Sequence, residues 1–210
     1  MSIDATSQVR RARATEHAAL TALWERSVRA THDFLTEADI VFYRPLVVEY
    51  LTSPSSTLWV LSDESDVAIG FVGLDGDSIA ALFIDPAHRG KGGGRRLVSH
   101  AQRLRPGALT VDVNERNALA RGFYEALGFA VVGRTPVDEY GRPHPVLHMR
   151  GRPVAWCSAS CWSPSASRSA RAQTRCSSPP FSPAYLNGGS ICWPPHERVL
   201  LTPTSTKGSR

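Results

Sequence analysis

Residues His88–Leu97 read HRGKGGGRRL and follow directly on an apolar run, Ala80–Ile84 (AALFI). Four glycines, Gly90, Gly92, Gly93 and Gly94, stand where a strand should pass into a helix. Glycine loses more backbone freedom on folding than any other residue, so a cluster of it needs a reason. A helix that opens from such a loop presents unbonded N–H groups at its positive end, and glycine lets that backbone come close to an anion. Arg89, Lys91, Arg95 and Arg96 add positive charge around it. The segment therefore predicts a polyanion site floored by the amides of Lys91–Gly94.

Spacing excludes two common phosphate loops. A P-loop needs Ser or Thr after its lysine, and Lys91 is followed by Gly92. A dinucleotide fingerprint needs a third glycine where Arg95 stands, and it belongs to a first βαβ unit rather than to mid-chain.

Outward from the loop, periodicity predicts a mixed α/β sheet. Val9–Ala12 reads as a short strand. Glu16–Val28 reads as an amphipathic helix with Leu20, Leu23, Trp24, Ser27 and Val28 on one face. After a loop at Thr31–Leu35, Thr36 caps a second helix reaching Leu51, which Pro45 is expected to kink or restart. Strands follow at Thr57–Leu61, Val67–Leu74 and Ser78–Ile84, the last two joined at Asp75-Gly76. Arg95–Arg105 is helical and ends at Pro106-Gly107. Leu109–Asn114 is a strand, Asn117 caps a helix over Ala118–Leu127, and Gly128 stops it. Phe129–Arg134 and Pro145–Met149 close the sheet. Antiparallel strands thus lead into a strand–helix–strand–helix–strand unit.

The 210 residues carry 24 Lys and Arg against 19 Asp and Glu, a formal charge of +5. That excess invites a nucleic-acid reading, but it is unevenly placed. Seven basic residues and one acid follow Arg150, so residues 1–150 hold 17 basic and 18 acidic residues and are nearly neutral. Nucleic-acid binding is therefore not expected of the front domain, although a basic tail would permit it. No apolar run reaches the ~20 residues that span a bilayer, and the amino terminus lacks the apolar stretch of a signal peptide. A cytoplasmic protein with no membrane partner is expected.

Composition divides the chain into a domain over 1–150 and a tail over 151–210. The tail is rich in Ser, Pro, Arg, Cys and Trp, has no period of 2 or 3.6, and holds all four cysteines, Cys157, Cys161, Cys176 and Cys192. Their spacing with His196 fits no close-set zinc site. Two readings remain: a disordered basic tail, or a GC-rich gene read out of frame or past a lost stop codon. No metal is expected.

Arg89-x-x-Gly92-x-Gly94 resembles the acyl-CoA pyrophosphate loop of the GNAT N-acetyltransferases, Arg/Gln-x-x-Gly-x-Gly/Ala. A second segment, Asn117-Ala-Leu-Ala120-Arg-Gly-Phe123-Tyr124-Glu-Ala-Leu-Gly128-Phe129, is similar to the family's Asn-x-x-Ala-x-x-Phe-Tyr-x-x-x-Gly-Phe. The order of elements agrees over residues 8–150. SVRATHDFL, ALFIDPAHRGKGGG, VDVNERN and GRTPVDEYGRPHPVLHM are similar to the bacterial YjaB-type branch.

The resemblance implies the GNAT fold and acetyl-CoA as co-substrate. Gly90, Lys91, Gly92, Gly93, Gly94, Arg89 and Arg95 would hold its phosphates. Leu82, Phe83 and Ile84 would pair their backbone with the pantetheine arm, and Asn117 would touch the cofactor. Tyr124 would be the general acid that protonates the departing thiolate, for which a phenol of pKa ~10 serves if held within reach. An ammonium of pKa ~10.4 must first lose a proton, so a base is needed. His32 and Asp33 are candidates by their place in the loop between the first helices, Asp112 and Glu115 by the end of their strand, and a chain of waters is a further route. The acceptor is a primary amine, either a protein lysine or a small amine, and acids at Asp33, Glu37 and Asp39 count for a cationic small molecule. A catalytically silent acyl-CoA-binding module is the alternative from another class. A second copy of the chain is a candidate partner.

Overall fold

The computed structural model describes residues 7–153. The tail, its four cysteines and His196 therefore lie outside the described residues.

Seven strands and four α-helices follow in order: β1 Gln8–Arg11, α1 His17–Arg29, α2 Glu37–Thr52, β2 Thr57–Ser62, β3 Ala68–Asp75, β4 Ser78–Ile84, α3 Gly93–Leu104, β5 Thr110–Asn114, α4 Ala118–Ala126, β6 Ala130–Thr135 and β7 Val146–Arg150. The strands form one sheet in the order β1-β2-β3-β4-β5-β7-β6. Pairing is antiparallel except between β4 and β5. β6 closes the strand–helix–strand–helix–strand unit but does not lie beside β5, because β7 slots between them.

The two-residue side-chain period gives the sheet two buried faces. Val60, Phe71 and Phe83 face Leu20, Trp24 and Val28 of α1 and Tyr43 and Leu51 of α2. Leu61, Val72, Ile79, Val111 and Val113 face Leu97, Val98 and Ala101 of α3 and Tyr124 of α4.

The feature that shapes the site is a break in the ladder. β4 and β5 pair only at Ser78↔Thr110 and Ile79↔Val111. Beyond that point β4 stays with β3 as far as Ile84↔Gly70, and β5 stays with β7 as far as Asn114↔Val146. The split starts at a bulge: Gly73 opposes Ala81 while Leu74 opposes Ile79, which leaves Ala80 as the extra residue. A bulge bends its strand and ends pairing locally, and here it turns β4 away from β5.

Two helix readings change. α3 begins at Gly93 rather than Arg95, with Gly92 as N-cap at φ +90°. First-turn amides have no partner inside the helix, so helix-poor glycines are tolerated there. Packing also favours glycine at 94, since a Cβ on it would stand 3.1 Å from Phe123 Cζ. The second change concerns α2, which continues as one helix across Pro45 instead of restarting there. Pro45 is exposed, and Val41, whose carbonyl loses its hydrogen bond, is 69% exposed. At so exposed a position the freed carbonyl is open to solvent, so the helix continues at a cost in stability. Pro45→Ala should raise the unfolding free energy by on the order of 1–3 kcal/mol, read from urea denaturation. A fall in stability would mean that the proline ring makes contacts worth more than the lost bond.

Candidate functional site

A cavity of about 580 Å³ occupies the split between β4 and β5, within the range of ordinary ligand sites. It is lined by both faces of the sheet: Ser27, Thr31, His32, Phe34, Leu35 and Tyr43 from one side, and Ala120, Phe123 and Tyr124 from the other. Leu82, Phe83 and Ile84 of β4 form one wall, and Val113 and Asn114 of β5 the other.

One end is the glycine segment. Arg89, Gly90, Gly92, Gly93, Gly94 and Arg95 line it. Gly90 and Gly92 sit at φ +72° and +90°, the left-handed region that glycine adopts without penalty. A Cβ built on either meets nothing within 4 Å, so their bareness keeps space open for a ligand. Gly92 makes no side-chain cap, and the first amide to bond within α3 is Arg96 N–H, to the Gly92 carbonyl. The amides before it face the cavity mouth as anion donors. Arg89 donates to the Ser27 carbonyl at 3.2 Å. Lys91 is not part of the cavity lining, and Arg96 is turned away, donating to the Ser7 hydroxyl and carbonyl.

In the middle of the wall, Tyr124 is buried. The rings of Phe123 and Phe129 pack edge-on to it at 5.1 and 5.3 Å. Two turns earlier, Asn117 caps α4 by accepting from Ala120 N–H, and its amide nitrogen lies 3.3 Å from His32 Nε2. Burial pushes the His32 imidazole down to about 4, with the Arg89 charge acting in the same direction. Asp33, in contrast, is exposed and is not part of the lining.

The far end contains residues that sequence reasoning missed: Tyr43, Asp138 and His144. Asp138 is buried. It accepts the Tyr43 hydroxyl on one oxygen and the amides of Tyr140 and Arg142 on the other, at 2.9 and 2.7 Å. His144 lies 3.5 Å from Asp39, and Asp39 also accepts from Arg142. Burial pushes the Asp39 carboxyl up, but the Thr36 hydroxyl and amide, with His144, hold it at about 2. Glu37 is paired with Arg29, and that hydrogen bond lowers its pKa. Of the three acids noted in the sequence, two are therefore matched by arginines. The only forward signal for Asp138 and His144 was their place in the GRTPVDEYGRPHPVLHM segment.

Residues 54–131 match the family described as "Acetyltransferase (GNAT) domain". The chain is 48% identical over 141 residues to the peptidyl-lysine N-acetyltransferase YjaB of Salmonella typhimurium, covering 67% of this chain and 95% of that one. This chain is a GNAT acetyltransferase. The solution structure of apo-form YjaB from Escherichia coli superposes with a TM-score of 0.64 at 46% identity, covering 69% of this chain and 96% of that one. The PaiA N-acetyltransferase of Thermoplasma acidophilum, solved with coenzyme A, shares the fold at 15% identity and a TM-score of 0.56, over 70% of this chain and 98% of that one. A GNAT enzyme transfers an acetyl group to an amine from acetyl-CoA. The bare glycine cradle and the uncapped start of α3 fit the diphosphate of that co-substrate. Among the described residues no helix is long and apolar enough to cross a membrane, and no group of three His, Cys, Asp or Glu is placed to hold a metal.

The remaining base candidates sit elsewhere in this GNAT fold. Glu115 is paired with Arg134 at 2.7 Å. Asp112 is not part of the lining, although its neighbour Val113 is; alternation along β5 turns it to the opposite face. There it bonds His148 across the ladder at 2.8 Å. Burial pushes Asp112 up from 3.8 to about 6, against the pull of His148. The unfolded chain thus releases this proton first, and stability contributed by the group is lost as pH rises through that window. Asp112→Asn should gain on the wild type between about pH 4 and about pH 7 by on the order of 1–3 kcal/mol. Urea denaturation at both pH values checks this, and an equal difference at the two would remove burial as the cause.

Proposed function

We propose that this protein acetylates the side-chain amine of lysine in peptides or proteins, with Tyr124 as general acid. The observation that carries the reading is the single cavity that joins the glycine-capped start of α3, the buried Tyr124 and the Asp138 carboxylate. The curated relatives' peptidyl-lysine specificity supports the same acceptor.

Each part has a physical task. The first-turn amides of α3, with Arg89 and Arg95, bind the diphosphate of acetyl-CoA. The cavity-facing backbone of Leu82–Ile84, left without a β5 partner, offers hydrogen bonds to an extended amide chain. Phe34, Leu35 and Phe123 give an apolar path suited to the methylenes of a lysine. Asp138 supplies the counter-charge that draws an ammonium group to the far end, and a low-dielectric wall strengthens that attraction. The amine nitrogen, once deprotonated, attacks the thioester carbon. A C–N bond forms, the C–S bond breaks, Tyr124 gives its phenolic proton to the leaving sulfur, and the second proton of the attacking nitrogen passes through water to restore the phenol, leaving a neutral amide and a thiol. The ammonium proton leaves through water at the open end, because Asp33 and Glu115 lie outside the cleft, Asp112 faces away and His32 is a weak base. Bringing amine and thioester together supplies much of the rate.

Residues 1–150 carry all of this machinery in our reading, and the tail is dispensable to it. The enzyme acts in the cytoplasm, with no nucleic acid, membrane or metal required.

Tyr124→Phe should lower kcat on a lysine peptide by on the order of a hundredfold or more while calorimetry shows acetyl-CoA binding within about twofold of wild type. Unchanged turnover would remove Tyr124 from the acid role. The chain shortened to residues 1–150 should bind acetyl-CoA as the full chain does. Binding by the full chain alone would make the tail part of the fold, and binding by neither, with both folded, would overturn the cofactor site.

A further inference from the structure

His32 sits in a run of hydrogen bonds whose donors and acceptors can be assigned one at a time. Asn117 Oδ1 accepts from Ala120 N–H at 3.0 Å, so the atom facing His32 Nε2 at 3.3 Å is the amide Nδ2, which only donates. Nε2 must therefore carry a lone pair. On the other side, Thr31 Oγ1 gives its one hydrogen to the Ser27 carbonyl at 2.7 Å. Toward His32 Nδ1, 2.8 Å away, that oxygen can only accept. The ring proton is on Nδ1, in the tautomer that the two neighbours dictate.

The run extends beyond the histidine. The Ser27 carbonyl that receives Thr31 also receives Arg89 Nη2 at 3.2 Å. Arg89 precedes the glycine cradle, Ser27 lies in the last turn of α1 with Thr31 just beyond it, and Asn117 caps α4. One hydrogen-bonded path thus joins three walls of the cavity. Asn117 and Tyr124 are seven residues apart on α4, close to two full turns, so they share a face of the helix.

This path leaves little for His32 to do as a base. Its lone pair is engaged by the Asn117 amide, and burial with the nearby Arg89 charge weakens it, against a small opposing pull from Asp33. We propose that His32 is a positioning residue: a neutral, Nδ1-protonated imidazole that ties the α1–α2 loop to the cap of α4 and fixes Asn117 and the Tyr124 wall of the cleft. The inference rests on the acetyltransferase reading for its kinetic readout alone.

The test pairs nitrogen NMR of the wild-type chain at neutral pH with kinetics of two variants on a lysine peptide. The expected spectrum shows a neutral His32 with the proton on Nδ1, and no ring protonation until the pH nears 4. His32→Ala should lower kcat by on the order of tenfold to a hundredfold, from leaving a buried donor unpaired. His32→Gln, whose Oε1 can accept from Asn117, should recover to within about threefold of wild type, and neither variant should shift the pH profile of kcat/KM. A proton on Nε2, an imidazolium at pH 7, an alanine variant as fast as wild type, or a glutamine variant as slow as alanine with its acid limb lost would each overturn the proposal. The spectrum is read whether or not the peptide is acetylated, so failure of the transfer reading stays distinguishable from failure of this one.

Discussion

Two residue pairs, Ser78↔Thr110 and Ile79↔Val111, are all that hold the halves of the sheet together in parallel. Buried backbone groups must be bonded to something, so a sheet that parts in its middle creates a demand for a partner along both inner edges. The extra residue Ala80 creates that parting, and the hydrophobic faces contributed by α1, α2, α3 and α4 hold it open. The site is in this sense a consequence of one bulge. Cofactor end, reacting middle and acceptor end are three depths of the same gap.

Electrostatics within the gap follow from burial. The wall is mostly apolar, and the two buried acids at its far end are each held by several donors. Asp138 takes three, and Asp39 is held by Thr36, Arg142 and the nearby His144. A carboxylate so fixed cannot swing toward a ligand, but its charge still acts across a medium that screens poorly. At the opposite end no acid among the described residues lines the cavity beside the start of α3, where the helix dipole is positive. The cleft is thus polarised along its length, positive at the glycines and negative at Asp138.

Much of this was legible in the sequence because it is local. Strand limits fall within about a residue of expectation where alternation meets an Asp or Gly turn, as at Asp75-Gly76. The anion site could be read because glycine after a strand has few other uses. The start of α3 falls two residues before the expected one because Gly93 and Gly94 carry no helix propensity, and Gly94 packs on Phe123, some thirty residues on. Pro45 does not restart α2 because the carbonyl it leaves unbonded, on Val41, lies at an exposed position, which the rule for proline ignores. Asp138 and His144 were invisible for a deeper reason: their segment has no period, and Tyr43, which gives Asp138 its meaning, is 95 residues away. His32 and Asp33 are adjacent letters, and only burial separates them.

The contact between Gly94 and the ring of Phe123 couples the two motifs by volume. One belongs to the phosphate loop and the other to the helix of the acid, and the space for a Cβ is already filled to within 3.1–3.2 Å. Any side chain at 94 must displace the tip of that ring by a few tenths of an ångström, and Tyr124 is the next residue on the same helix. The phosphate loop and the helix of the acid are thus packed directly on each other, so the position of one is not independent of the other.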